Sequence, residues 1–184
     1  MPTVAVLAEL LITGTQAMVW LYLFVCLLVG WDWLSFESAG AGANVQTLLV
    51  VALAYSLGVI VDRLADSALT TIDRRLGVRV VTPVPPEEMR VRVLIKGGEA
   101  ANYLGYMRSR MRIARATVFN LGAIALFLAL LAVALPNGGP SRELLVTATV
   151  ATIASLVVSF WVARRIGKTY DERLAQTYRQ LGSA

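Results

Sequence analysis

The sequence predicts an all-α membrane protein with four transmembrane helices, helical cytoplasmic extensions and a short β-hairpin-like cytoplasmic tip. Three observations carry that expectation. The chain of 184 residues is 57% apolar, with a mean hydropathy of +0.66. Charged residues make up 16% of it, whereas a soluble domain carries about 25%. Four apolar segments stand out: Leu10–Val29, Val45–Val61, Ala114–Leu135 and Leu144–Ala163. Their lengths lie near the ~20 residues a bilayer requires, the second at the short end. The whole chain, 1–184, reads as one four-span domain, with cytoplasmic parts at 62–113 and 164–184.

Cationic residues set the orientation. None lies in Gly30–Asn44, one (Arg142) lies between spans three and four, eleven lie between Asp62 and Arg115, and five follow Ala163. This bias predicts both termini in the cytoplasm, in a plasma (inner) membrane. Trp31 and Trp33 suit an outer aromatic belt and Trp161 the inner edge. Ala39-Gly40-Ala41 offers a signal-type cleavage pattern. The absence of a preceding Lys or Arg, with Glu9 in front, predicts instead that span one is retained.

Residues Pro2–Ala8 are expected as an interfacial turn. Gly14, Thr15 and Gln16 make a small polar step inside span one, read either as helix packing or as a notch facing a pore or substrate. In span two, Ala54 and Gly58 have small-xxx-small spacing. Helical periodicity continues past Val61 through Leu64, Ala68, Ile72 and Leu76 to a stop at Gly77.

Val78-Arg79-Val80 and Arg90-Val91-Arg92-Val93 then alternate with period two, with prolines between them and Gly97-Gly98 closing the second run. This predicts the hairpin-like lobe. The competing reading starts a helix at Pro86, followed by Glu87 and Glu88, since proline and acids suit a first turn.

From Glu99 a long helix carries an apolar stripe (Leu104, Met107, Met111, Ala114, Val118) beside a basic one (Arg108, Arg112, Arg115). Ala125, Ala129 and Ala132 give it a small face, and Ser141 is a candidate N-cap for span four. Thr147, Ala151, Ser155 and Ser159 make a second small seam. Ile166, Tyr170, Leu174, Tyr178 and Leu181 extend that helix to Gly182.

Paired as an antiparallel hairpin, helices two and three form a collar of Asp62, Asp66, Arg108, Arg112 and Arg115. The spacing places Asp62 opposite Arg115, Asp66 opposite Arg112 or Met111, and Asp73 about a turn from Arg108. It also puts Asn120 beside Ser56 and Leu57. The collar is read either as a structural brace or as a gate. Gln16, Ser56 and Asn120 are the intramembrane polar candidates. Arg79, Arg90, Arg92 and Lys96 are candidates for an anionic ligand or lipid headgroups, or else form a solvated face.

The YxLGxxxDRxxD run (Tyr55, Leu57, Gly58, Asp62, Arg63, Asp66) and Tyr106–Ala116 (YMRSRMRIARA) resemble motifs of small bacterial membrane proteins with four predicted spans. Proteins of that build sometimes act as membrane effectors beside a cytosolic sensor.

The chain has no histidine and one cysteine, Cys26, and carries no metal-ligand cluster, nucleophile elbow, Walker loop or dinucleotide fingerprint. Neither an enzyme nor a cofactor is expected. Nucleic acid is not an expected partner, because stacking aromatics do not interleave the basic runs. The expected function is a homo-oligomeric channel or pore-type protein regulated from the cytoplasmic side. The alternative is a non-conducting anchor or scaffold that docks a cytosolic or membrane partner. Expected partners are membrane lipids, further copies of the chain, and a cytosolic protein or anionic ligand.

Overall fold

The structure is a computed structural model that describes residues 2–30, 43–76, 84–134 and 140–182. Every regular element among them is helical: α1 (Pro2–Val29), α2 (Ala43–Arg75), α3 (Pro86–Lys96), α4 (Glu99–Ala134) and α5 (Arg142–Gly182). Four of the five, all but α3, are long and apolar enough to cross a membrane.

α4 is the hub, in contact with each of the other four helices. α1 and α2 pack against each other on one side of it, and α5 runs along it on the other. The α1–α2 contact depends on two glycines. A Cβ on Gly14 would run into the Ala54 carbonyl, and one on Gly58 into the Leu10 carbonyl. Only hydrogen at these positions lets the two backbones approach so closely, the use that small-xxx-small spacing makes of glycine. The pairing of Gly14 with Ala54 and of Leu10 with Gly58 also makes the two helices antiparallel. α1 runs parallel to α4, since Glu9 meets Ser109 at one end and Phe24 meets Phe127 (5.4 Å between ring centroids) towards the other.

Apolar side chains fill the bundle in successive clusters. Leu23, Cys26, Leu128, Leu131 and Leu145 close the end away from the arginines. Ala17, Val61, Ala65 and Ala116 fill the middle. At the arginine-rich end, the stripes expected on α4 and α5 meet in one cluster of Leu104, Met111, Tyr170 and Leu174, together with Met89 and Val93 of α3. Ser141 accepts a hydrogen bond from the Leu144 amide (3.3 Å), as an N-cap does.

Three expectations are corrected. The tip is not a hairpin over Arg90–Val93: Pro86–Lys96 is a helix, with Pro86 in its first turn, Glu87 and Glu88 following, and Gly97 capping its end. A four-residue alternation is too short to override Met89 and Val93, which share one face four residues apart and bury against α4 and α5. The first alternating run, 78–80, and the stop at Gly77 lie outside the described residues, as do Trp31 and Trp33. Pro2–Ala8 is no turn but already part of α1. Beyond Val61 the buried face of α2 is Val61, Ala65 and Leu69, while Leu64, Ile72 and Leu76 are exposed. Ala65 lets α2 approach Ala17 and Ala116 closely, and that fixes the helix's rotation.

Candidate functional site

Two polar constellations sit at different depths of the bundle. The deeper one is centred on Asn120, which is 1% exposed. Its amide donates to the Thr13 carbonyl (3.0 Å) and to Gln16 Oε1 (3.3 Å), and its Oδ1 accepts from Trp20 Nε1 (3.0 Å). Thr117 donates to the same Gln16 oxygen (3.2 Å). Asn120 therefore faces α1, not Ser56 on α2. Ser56 instead donates back to the Ala52 carbonyl of its own helix (2.9 Å). Polar groups at such depth require partners, and these have them. The cage ties α1 to α4, and Gly14 beside it serves packing.

The shallower constellation is the collar. Arg112 grips Asp62 with both arms of its guanidinium, Nε to Oδ1 at 3.0 Å and Nη2 to Oδ2 at 2.6 Å. Arg115 divides itself between Asp66 (Nη1 to Oδ1, 2.6 Å) and Asp73 (Nη2 to Oδ2, 3.3 Å). Asp62, Asp66, Arg112 and Arg115 come together, whereas Arg108 makes no ion pair with these acids, and the partners differ from the expected register. Along α2 from residue 62 to 73, the partners on α4 move forward from 112 to 115; in a straight antiparallel hairpin they would move backward. α2 thus crosses α4 here, and Leu69 reaches a cluster with Val118 and Ala163 of α5. Glu9, 8% exposed, adds a buried acid that accepts from Ser109 and lies within electrostatic reach of Arg112.

Below the collar opens a cavity of about 570 Å³. Its apolar floor includes Leu69, Met89, Met111 and Leu174; its rim includes Pro85, Pro86 and Glu87 from the first turn of α3. The walls carry seven cationic and five acidic side chains. Three of the acids, Asp62, Asp66 and Asp73, are engaged by Arg112 and Arg115. Arg63, Arg90, Arg108, Arg164 and Lys168 make up the other cations, with Glu87 and Asp171 the other acids, and Lys168 also lies 3.9 Å from Glu172 on its own helix.

Of the anion candidates on 78–96, Arg90 alone among the described residues lines this cavity. Its guanidinium lies over the Tyr170 ring (5.5 Å), and its Nε is buried without a hydrogen-bond acceptor among the described residues. Arg92 turns to Tyr178 (5.3 Å to the ring centroid), and Lys96 is exposed. Arg79 lies outside the described residues. Arg164 and Lys168 were not singled out from the sequence, and Arg63 entered only as part of the YxLGxxxDRxxD run. Their only signal was that Arg164 and Lys168 stand four residues apart, on one face of the α5 extension, with Gly167 between them.

No protein-family model, curated protein or solved structure matches the chain. What the site does therefore rests on its own geometry.

Proposed function

We propose that the protein is a non-conducting membrane anchor that presents a ligand- or partner-docking lobe on its arginine-rich face. The bundle crosses the inner membrane four times, with that face and both termini in the cytoplasm. One observation carries this reading. The open, charged cavity stops against a closed apolar interior, and the far end of the bundle is plugged by Leu23, Cys26, Leu128, Leu131 and Leu145. A water-filled path through one chain needs polar or open lining along its length, and that cluster interrupts it.

Copies associate through α5 in this proposal. Thr147, Ala151 and Ser155 point away from the bundle, so this small seam is free for a neighbouring helix, unlike those on α2 and α4. A conducting path would have to lie between copies, and this is what the test addresses. The purified protein is reconstituted into vesicles, and potassium and chloride efflux is followed. The expected result is efflux no faster than from empty vesicles. Protein-dependent efflux that changes in Asp62→Ala or Arg112→Ala would overturn the anchor reading and establish an oligomeric pore gated at the collar.

A further inference from the structure

We propose that the cavity under α3 is a binding site for a phosphate-bearing anion, a phosphomonoester or diphosphate, held by Arg90, Arg108, Arg164 and Lys168. This names a ligand class for the docking lobe, and so rests on that reading.

The first contribution to binding is charge. With Asp62, Asp66 and Asp73 committed to the collar and Lys168 also reaching Glu172 (3.9 Å), the four guanidinium groups of Arg63, Arg90, Arg108 and Arg164 face the two remaining wall acids, Glu87 and Asp171. The imbalance is enclosed on three sides, by α2, α4 and α5, where water screens less than on an open surface.

The second is donor supply. Arg90 keeps a buried Nε with no acceptor among the described residues, a costly condition that an anionic oxygen relieves. Tyr170 beneath its guanidinium holds the plane in place. Among the described residues Arg108 has no carboxylate in ion-pair contact, although it stands one turn from Arg112, which is engaged by Asp62. Guanidinium groups present the paired N–H geometry that phosphate oxygens accept.

The third is the backbone. The first turn of α3 lies at the rim, and no side chain among the described residues caps it. Its free N–H groups and the helix dipole add to the attraction for an anion. At about 570 Å³ the cavity lies inside the range of small-ligand pockets, roughly 300–1,000 Å³.

The same phosphate chemistry arises from a soluble compound or from a lipid headgroup, and the experiment has an arm for each. In the first, full-length protein in phosphatidylcholine nanodiscs is titrated with inorganic pyrophosphate by calorimetry. In the second, protein in mixed phosphatidylcholine and phosphatidic acid is washed with detergent, and retained phosphatidic acid is counted by native mass spectrometry. Saturable binding in the first arm identifies a soluble ligand, and retention in the second a lipid. In whichever arm binding occurs, the double variant Arg108→Gln/Arg164→Gln weakens it at least tenfold, whereas Lys96→Gln, on α3 but outside the cavity, changes it less than twofold. Both substitutions fall on side chains that make no ion pair with Asp62, Asp66 or Asp73 and lie outside the buried clusters, so the fold is retained, as circular dichroism verifies. Absence of binding in both arms overturns the proposal, as does an equal loss in Lys96→Gln or no loss in the double variant. Ion flux from vesicles is scored separately, so failure of the anchor reading is distinguishable from failure of the anion site.

Discussion

Arg112 on α4 and Asp62 on α2 form a two-armed ion pair, with contacts of 3.0 and 2.6 Å, in which the Asp62 side chain is 15% exposed. Half-buried, charge-assisted pairs of this kind add little net stability but are expensive to break on one side. Asp62→Ala should therefore lower unfolding stability by about 2 kcal/mol, in the range for lost hydrogen bonds to charged groups. Thermal melting in detergent measures it. The exchange Asp62→Arg/Arg112→Asp should recover at least half of the loss. Asp66→Arg/Arg112→Asp should recover none, since Asp66 bonds Arg115.

Gly14 and Gly58 set the closest approach of two helices. Alanine at either position would collide with a backbone carbonyl, which cannot rotate away as a side chain can. Gly14→Ala and Gly58→Ala should each cost about 3 kcal/mol, the upper end of overpacking. Gly105 has nothing within 4 Å of a Cβ, so Gly105→Ala should be neutral or gain up to about 1 kcal/mol from helix propensity. Monodisperse yield and melting temperature of the three variants check this.

Replacing Asn120 by Leu removes bonds to the Thr13 carbonyl, Gln16 and Trp20. The loss should be about 1–2 kcal/mol, the upper end for polar contacts between membrane helices. Trp20 emission should shift as its indole N–H loses its acceptor. An unchanged spectrum and melting point would mean that the α1–α4 junction does not depend on the cage.

Self-association through α5 is testable by cysteine placement. Thr147→Cys and Ser155→Cys, whose side chains are exposed, should form disulfide-linked dimers under mild oxidation; Ala148→Cys, which packs beside Leu145 and Leu131, should not. Native Cys26 is fully buried and should stay reduced. Absence of dimers from both outward positions would leave the seam facing lipid.

The elements were legible wherever a long periodic pattern decided them. Stripes such as Leu104–Met111–Val118 and Tyr170–Leu174 were read from spacing, and the structure buries them. The ion-paired part of the collar, without Arg108, was legible as a set, because acids and bases begin at matching depths on α2 and α4. Its partner assignments were not, because they depend on a crossing that spacing along single helices does not encode. α3 was misread because Arg90–Val93 alternates, and the burial of Met89 and Val93 that makes it helical comes from α4 and α5. Asn120 and Gln16 appeared as separate polar residues and Thr117 was not singled out; only the parallel packing of α1 and α4 joins them. On α2 two apolar faces competed, and close approach at Ala65 chose the less obvious one.

α4 is the hub, and the richest contacts join neighbours in sequence, α1 with α2 and α4 with α5. The chain is therefore two helical hairpins in succession, each able to close soon after it leaves the ribosome, at the small entropic cost of a short loop. The second brings the surface on which the first must dock. A block in synthesis after α2 should strand the Gly14 and Gly58 hairpin without its buttress, with Asp62 and Asp66 lacking counter-ions, a half-product that membrane quality control would meet as exposed charge.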